Sequence, residues 1–337
     1  MARIILFILS SHFHPMRRAL VIYNRAAGRN RARRAALVEN VLGILQDAQI
    51  EASAVESQGP RRAAEQARAA IETGFDTIIA CGGDGTVHDV LQGMVNSQAV
   101  LGVVPAGTGN ILARNLGLPL DPIAATKELI TAEPCCIALG KIEFCEGTQS
   151  SENYFSVAAG LGMDALLMYK LAAAHKEQLG MLAYYAMGIR LSILHPLPWF
   201  EIEFTDSSGS CRRERVAELL ASRVSDYGDL VRRVTPDAGL DREDLQLVLF
   251  KSRSRLLLWR YLISTYTRSR NSFPDVELVH ASEVVCRSAA QAAEFKVYAE
   301  ADGEALGTLP VRISMAPKAL TLLFPRAAKN PESMRGS

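Results

Sequence analysis

Several features that define common protein classes are missing from this sequence. Its six cysteines form no Cys-x-x-Cys pair, and none stands near a histidine at the spacing of a zinc site. The apolar stretch from Ile4 to Leu9 is too short for a membrane span and lacks a signal-peptide cleavage pattern. The 37 basic and 36 acidic residues leave a net charge of +1, so no overall field indicates a nucleic-acid partner. These absences argue against a zinc module, a disulfide-stapled domain and a nucleic-acid-binding protein.

The composition is instead typical of a folded protein with a sizeable core. Of its 337 residues, 49% are hydrophobic and 22% are charged, and this length suits two domains better than one. The cysteines are expected to be buried thiols in a reducing compartment, which predicts a cytoplasmic protein. We expect loose tails over residues 1–15 and 326–337, with the folded chain starting at Met16-Arg17-Arg18.

Two glycine-rich loops dominate the first third of the chain. Each follows an apolar run and opens a helical segment, and their sequences are Gly82-Gly83-Asp84-Gly85-Thr86 and Pro105-Ala106-Gly107-Thr108-Gly109-Asn110. Without a Cβ atom, glycine lets backbone N–H groups turn toward an anion, and the following helix adds the positive end of its dipole. The loops therefore predict a phosphate-binding edge that holds a nucleotide.

The form of these loops excludes two familiar phosphate motifs. The only Gly-Lys pair, Gly140-Lys141, is followed by Ile142, so there is no Walker loop. A dinucleotide fingerprint fails because Asp84 lies inside the glycine run. A carboxylate at this position would repel phosphate unless it held Mg²⁺, water or a sugar hydroxyl. The plainer alternative is a tight turn in which Asp84 is a helix N-cap.

The order of the predicted elements indicates two kinds of sheet. From Ala19 to about residue 133, strands and helices alternate, which predicts a parallel twisted sheet with ligands at the carboxyl ends of its strands. From about Pro134, longer strand-like runs favour antiparallel pairing, interrupted by one helical stretch from Met163 to Leu194. We predict an α/β nucleotide-binding domain over 16–133, a β-rich domain over 134–310, and a last strand, 311–325, able to return to the first sheet.

Six short motifs follow one another along the chain. They are the two glycine-rich loops, Asn24-Arg25-Ala26-Ala27-Gly28, Gly160-Leu161-Gly162-Met163-Asp164, Leu179-Gly180 with Ala183-Tyr184, and Asp302-Gly303-Glu304. In order and spacing this set resembles the diacylglycerol kinase catalytic family, which includes bacterial lipid kinases and sphingosine kinases. The resemblance runs from about Ala19 to Phe324. It implies an α/β nucleotide domain, an antiparallel, sandwich-like β domain and an active site in the cleft between them.

The resemblance also implies a reaction, the transfer of the γ-phosphoryl group of ATP to a lipid hydroxyl. The ATP phosphates would lie on Gly82, Gly83, Asp84, Gly85 and Thr86, with Asn24, Gly28, Gly107, Thr108 and Asn110 completing the pocket. Asp84 would act through Mg²⁺. Asp302 is expected to be the general base, with Glu304 as the alternative or as a second carboxylate beside Mg²⁺. Taken alone, Asp302-Gly303-Glu304 also fits an ordinary hairpin turn.

Two stretches depart from the family's pattern. The family's structural Mg²⁺ loop usually reads Leu-Asp-Asp-Gly-x-Leu, whereas this chain has Leu240-Asp241-Arg242-Glu243-Asp244-Leu245. Asp241 and Asp244 keep a spacing that suits a metal, but Arg242 puts a cation where a carboxylate is expected. A solvated acidic turn explains these residues equally well. On the adenine side, Ser57 is the only hydroxyl between Val55 and Gly59.

The lipid side is indicated by composition. Met163 to Leu194 is rich in leucine, methionine and tyrosine, enough for an acyl-chain groove, although a pair of core helices is the plainer interpretation. Arginine clusters within 29–34, 212–215 and 253–260 could meet anionic headgroups or simply form solvated faces. His88 has no evident partner and is expected to pack or cap locally.

The preferred hypothesis is an ATP- and Mg²⁺-dependent lipid kinase that is cytoplasmic and peripherally associated with a membrane surface. Its acceptor would be a lipid alcohol such as diacylglycerol or a sphingoid base. One alternative is a regulatory protein that binds nucleotide or lipid with little catalysis, and another is a soluble-substrate kinase of the NAD kinase kind. The sequence leaves open which lipid is used and whether the chain forms a homodimer.

Overall fold

Two regions with different strand arrangements share one continuous sheet in the computed structural model of the protein. The structure describes residues 16–24, 31–57, 59, 61–146, 149–173, 195–228, 234–267, 273–289 and 296–326. Gly28, the motif from Leu179 to Tyr184, and nearly all of both predicted tails lie outside these ranges.

The first region alternates strands and helices. Its elements are β1 (Arg18–Tyr23), α1 (Arg31–Asp47), β2 (Glu51–Glu56), α2 (Arg62–Glu72), β3 (Thr77–Gly82), α3 (Asp84–Met94), β4 (Val100–Pro105), α4 (Ile111–Asn115) and α5 (Pro122–Thr131). The strands pair in parallel in the order β2-β1-β3-β4. Every residue of β3 is buried, as expected of a parallel strand covered on both faces. The predicted parallel sheet is confirmed.

The second region consists mostly of antiparallel strands. Its elements are β5 (Glu133–Glu146), β6 (Gln149–Phe155), β7 (Ala158–Leu161), α6 (Met163–Ala173), β8 (Phe200–Asp206), β9 (Cys211–Val216), β10 (Glu218–Ser222), β11 (Leu245–Phe250), α7 (Arg255–Thr267), β12 (Val276–Ser288), β13 (Tyr298–Ala301), β14 (Glu304–Thr308) and β15 (Val311–Phe324). Neighbouring strands here pair antiparallel and enclose an apolar core of their own. The predicted β-rich antiparallel region is confirmed.

Strand β15 belongs to both regions. Its first half pairs with β12, and near its end Thr321 and Leu322 pair in parallel with β4. Strand β5 runs antiparallel along both halves of β15, with an irregularity in register between Ala316 and Leu320. The last strand does return to the first sheet. The domain boundaries stay a prediction, because β5 and β15 each continue through both regions.

Some local expectations are wrong. The strand-like runs predicted after Pro134 include Tyr154 to Ala158, but this run is not one strand, since the chain breaks between β6 and β7. Helix α7 falls in a stretch for which the sequence predicts no helix. The six cysteines are all free thiols, but only Cys81 and Cys286 are buried, and three are exposed. Among the described helices, none is both long and apolar enough to cross a bilayer.

Candidate active site

The two glycine-rich loops lie side by side at the carboxyl ends of β3 and β4. Gly82 at the end of β3 pairs with Pro105 at the end of β4. A methyl group on Gly83 would lie 3.2 Å from the Cα atom of Gly107, and one on Gly107 would overlap the Gly83 backbone. Because the loops touch backbone to backbone, position 107 requires glycine, and position 83 leaves little room for a side chain. Close packing, and not an anion alone, therefore accounts for two of the motif glycines.

The first turn of α3 offers the amide groups of the phosphate edge. Gly83 is the N-cap residue, and within the described chain no side chain caps this helix. A methyl group on Gly82 would overlap the hydroxyl of Thr86, which is itself buried. Uncapped N–H groups and the positive end of the helix dipole favour an anion. The start of α3 is therefore suited to binding a phosphate group.

Asp84 and Asn110 hold the second loop in place. The Oδ1 atom of Asp84 accepts a hydrogen bond from the Ile111 amide at 2.7 Å. The Asn110 side chain accepts from the Gly107 amide at 2.9 Å and donates to the Gly107 carbonyl at 3.0 Å. Burial raises the pKa of Asp84, the Ile111 amide opposes that shift, and the charge of Asp302 adds to it. Asp84 is thus not the N-cap of its own helix, and its carboxylate binds the first amide of α4.

A cation also lies at this edge. Arg34 of α1 donates to the carbonyl of Asn24 at 2.8 Å and to the carbonyl of Ala106 at 3.1 Å. It therefore joins the end of β1 to the second loop, at whose tip Thr108 is exposed. The sequence places Arg34 in a basic cluster that suits either lipid headgroups or a solvated face, whereas the structure puts its charge where it favours an anion on the loops. Gly28, predicted at the same edge, lies outside the described residues.

The acidic motif forms a two-residue hairpin turn between β13 and β14. Asp302 has φ of 49° and Gly303 has φ of 83°, the pair of positive values that a type I′ turn requires. The Asp302 carboxylate accepts hydrogen bonds from the successive amides of Ser156, Val157 and Ala158 at 2.9, 2.9 and 3.1 Å. The hairpin expected from an Asp-Gly pair is present, and the break between β6 and β7 anchors it.

His88 connects this turn to the first loop. Its Nδ1 atom lies 3.4 Å from the Oδ2 atom of Asp302, and both side chains are 3% exposed. Burial lowers the pKa of His88, but the hydrogen bond and charge of Asp302, with the charges of Asp89 and Glu304, outweigh it and raise the pKa. The sequence does not predict this partner of His88. The sequence does offer one indication that His88 belongs to the site. It follows Asp84 by one helical turn and so lies on the same face of the helix.

Glu304 faces the first loop from across the cleft. A methyl group on Gly85 would lie 3.5 Å from the Oε1 atom of Glu304, which is half-buried. Asp302 is enclosed by contrast, since its carboxylate also accepts a hydrogen bond from the Ser156 hydroxyl at 3.2 Å. The structure therefore brings the acidic turn and the phosphate edge together. Of the two carboxylates, Glu304 faces the loop and Asp302 is held by the scaffold.

Three more carboxyl groups lie behind the turn. Glu300 accepts from the Gly303 amide at 2.7 Å, and Glu218 accepts from the Met163 amide at 2.8 Å. Burial raises the pKa of Asp164 to about 6. Burial, and after it the charge of Asp164, holds the pKa values of Glu218 and Glu300 well above their ordinary range. These groups therefore carry protons at a pH where exposed carboxyl groups are ionised.

Of the two residues predicted to hold a structural metal, Asp244 is already engaged by other side chains. The Asp244 carboxylate accepts two hydrogen bonds from the Arg242 guanidinium, at 2.6 and 2.7 Å. The Nδ1 atom of His280 lies 3.3 Å from the same carboxylate, and Asp241 is exposed. In the part of the chain that the structure describes, no group of three or more His, Cys, Asp or Glu residues is arranged to hold a metal ion.

A buried arginine lies against the backbone of the same loop. Arg223 is 0% exposed and donates to the carbonyls of Leu240, Arg242 and Ala138 at 3.0, 2.5 and 2.9 Å. Carbonyl and carboxylate oxygens are the ligands that Mg²⁺ needs. In this loop the carbonyl oxygens accept hydrogen bonds from Arg223, and the Asp244 carboxylate accepts them from Arg242. The donor set of this loop does not fit a divalent cation.

The predicted acyl-chain helix is described only as far as Ala173, and residues 174–194 lie outside the described ranges. In α6, Leu166 is buried, which fits core packing. Tyr169 is 46% exposed, and its ring centroid lies 4.6 Å from that of Tyr298. The groove therefore stays a prediction.

Two family models match the chain. One, described as the diacylglycerol kinase catalytic domain, matches residues 18–142. The other, described as the YegS C-terminal NAD kinase beta sandwich-like domain, matches residues 156–324. A Mycobacterium tuberculosis (strain CDC 1551 / Oshkosh) protein named diacylglycerol kinase is 31% identical over 264 residues, which cover 77% of this chain and 80% of the relative.

Solved structures share the architecture. A diacylglycerol kinase from Bacillus anthracis str. Sterne aligns with a TM-score of 0.67 at 17% identity, covering 93% of this chain and 98% of that one. Yeast NADH kinase complexed with NADH aligns with a TM-score of 0.52 at 10% identity, covering 95% of this chain and 86% of that one. At these identities the likeness concerns the fold alone.

Proposed function

Because the chain belongs to the diacylglycerol kinase catalytic family, we propose that it transfers the γ-phosphoryl group of ATP to the hydroxyl of a lipid such as diacylglycerol or a sphingoid base. One observation above all supports this function: the acidic turn lies directly against the first glycine-rich loop and its helix. Glu304 lies close to Gly85, and Asp302 contacts His88. Phosphoryl transfer needs an anion site and a proton acceptor held close together.

The chain supplies the phosphate side of the reaction from backbone amides and one cation. Amides at the start of α3 bind the phosphates, and Arg34 adds positive charge at the same edge. Mg²⁺ is usually held by one or two carboxylates together with phosphate oxygens, and the Asp84 carboxylate fits that set. When bound, Mg²⁺ neutralises phosphate charge. Through its bond to Ile111, Asp84 also keeps the second loop in register with the first.

The two acidic side chains of the turn take different roles. Asp302 is nearly enclosed and accepts hydrogen bonds from three amides and a hydroxyl, so we assign it a positioning role. Glu304 faces the loop, and we assign it the acceptance of the lipid hydroxyl proton. The sequence ranks Asp302 first as general base, and the surroundings of the two groups reverse that ranking in our proposal.

A transfer assay with labelled ATP tests the function. Purified protein with Mg²⁺ and γ-labelled ATP is offered detergent-dispersed diacylglycerol, sphingosine, monoacylglycerol and, separately, NAD. We expect label on at least one lipid alcohol and none on NAD, with Glu304→Gln as the inactive control.

Three outcomes count against the proposal. Label on NAD alone would indicate a soluble-substrate kinase. ATP binding without transfer to any acceptor would support the regulatory alternative. Transfer that survives both Glu304→Gln and Asp302→Asn would place the chemistry outside the acidic turn.

A further inference from the structure

Helix α7 has apolar residues on two opposite faces. On the inner face Leu258 is buried and packs with Leu197 and Phe250. On the outer face Leu256 is 70% exposed and Ile263 is 56% exposed. These two lie seven residues apart, on one face of the helix. An apolar face left open on a folded protein usually has a partner.

The same segment is basic and contains no acid. From residue 245 to residue 274 the chain has six lysines and arginines and no aspartate or glutamate. Arg253 donates to a backbone carbonyl at 2.8 Å and Arg255 to another at 3.0 Å. The Arg260 guanidinium lies 5.9 Å from the centroid of the Phe273 ring. In the described structure Arg253, Arg255 and Arg260 therefore contact carbonyls and an aromatic ring and not carboxylates. Their positive charges are not neutralised by these contacts.

We propose that α7 docks the protein on an anionic lipid bilayer. Leu256 and Ile263 enter the boundary between headgroups and acyl chains, and Arg253, Arg255 and Arg260 meet lipid phosphates. An apolar face with flanking arginines and a tryptophan, here Trp259, is the composition of a helix that lies in a membrane interface. The inference deepens the proposed function, which requires access to a lipid substrate.

A second copy of the chain fits this face less well. In a two-fold dimer each surface meets its own copy, so the arginines of one α7 would approach those of the other. No acid between residues 245 and 274 offsets that repulsion. An anionic bilayer supplies the opposite charge and an apolar layer together. Charge complementarity therefore favours the bilayer.

Helix α7 is linked to the candidate active site through a short series of contacts. The Tyr261 hydroxyl donates to the carbonyl of residue 234 at 3.4 Å, and Thr235 donates to the Ser222 hydroxyl at 3.2 Å. Ser222 is paired in register with Ala158, one of the residues whose amides anchor the acidic turn. A bilayer bound to α7 would thus be connected, through these contacts, to the strand residues that bind the acidic turn.

Vesicle binding without nucleotide tests the proposal. The full chain is sedimented with phosphatidylcholine vesicles that contain or lack phosphatidylglycerol. The double variant Leu256→Ser/Ile263→Ser should lower the partition coefficient at least about tenfold, whereas Leu120→Ser, another exposed leucine at 42% exposure, should leave it unchanged. Arg260→Gln should lower binding to the anionic vesicles about fivefold.

A tryptophan measurement locates the contact. The chain has two tryptophans, Trp199 and Trp259, so Trp199→Phe leaves a single reporter on α7. Brominated lipids should quench its fluorescence in anionic vesicles. Unquenched Trp259 would overturn the proposal, as would a double variant that binds vesicles normally or that only converts a dimer to a monomer. Normal docking without lipid phosphorylation would contradict the proposed function instead.

Discussion

Asp302 and Glu304 stand two positions apart in one turn, yet their surroundings give them different chemistry. Three amides, a hydroxyl and His88 surround the Asp302 carboxylate, so its charge is used to fix the turn on the break between β6 and β7. Glu304 reaches Gly85 across the cleft. At the scale of single residues, the turn thus holds one carboxylate bound by the scaffold and one that faces the glycine-rich loop.

Conservative substitutions should separate these two roles. Glu304→Gln should abolish turnover while the urea unfolding midpoint stays unchanged, because the amide cannot accept the hydroxyl proton. Asp302→Asn should destabilise the fold by about 1–3 kcal/mol, because an amide presents donors to backbone N–H groups that need an acceptor. Kinetics and urea unfolding of both variants test this. A stable, inactive Asp302→Asn protein together with an active Glu304→Gln protein would reverse the assignment.

The contact between the two loops can be tested at Gly107. Gly107→Ala should raise the KM for ATP at least about tenfold, because a methyl group there overlaps the Gly83 backbone and shifts loops whose placement governs transfer. Gly43→Ala is the matched control, since a methyl group at that helical position meets nothing within 4 Å. It should be neutral, or stabilising by up to about 1 kcal/mol. Equal KM values in the two variants would contradict the close packing.

At the scale of elements, the sequence predicts what hydrophobic periodicity controls. The fully buried β3 and the regular βα alternation identify the parallel sheet, and the glycine loops follow its strands. The break at Ser156 was not predictable in this way, because it depends on a carboxylate 146 residues further along the chain. The same long-range dependence explains why the pairing of His88 with Asp302 is not predictable from the sequence. Helix α7 was missed because its aromatic and β-branched residues weaken the local helix signal.

The loop from Gly239 to Asp244 should be stable without metal. Without nucleotide, thermal unfolding should be the same in EDTA and in Mg²⁺, because Arg223 and Arg242 already use the loop's carbonyls and its Asp244 carboxylate. Arg223→Met should lower the free energy of unfolding by about 3 kcal/mol, since several buried carbonyls would lose their donor. An exposed arginine such as Arg213 is the control, and Arg213→Met should have little effect. A melting temperature that rises with Mg²⁺ in the unaltered protein would contradict this account.

At the scale of the whole molecule, the stability of the fold should depend on pH, because several buried acids and one histidine around the cleft have raised pKa values. The pKa values of Asp164, Glu218, Glu300 and His88 are all raised. The folded protein therefore binds these protons more tightly than the unfolded chain does, and stability falls as the pH rises. The surface ion pairs act differently. The pKa of Glu277 is lowered to about 2 by Arg212 and Lys251 against an opposing effect of burial. The stability that this ion pair contributes is therefore fully present at any pH above the pKa of Glu277 in the unfolded chain.

The melting temperature should accordingly be higher at about pH 5 than at about pH 8. Glu300→Gln should remove part of this difference by raising the melting temperature at the higher pH only, because its amide stays neutral while its oxygen can still accept from Gly303. Calorimetry at both pH values measures the effect. The exposed Glu243 is the control, and Glu243→Gln should change neither value. A pH-independent melting temperature in the unaltered protein would contradict protonated carboxyl groups behind the turn.

Among the described strands, β15 comes latest in the chain, and it pairs with β4 at the edge of the parallel sheet. Thr321 and Leu322 complete the parallel sheet beside Val100 and Leu101, more than 200 residues earlier in the chain. During translation the first region therefore has an unpaired edge at β4 until β15 emerges, a state open to aggregation. The pairing of β4 with β15 can form only once residues 321 and 322 have left the ribosome.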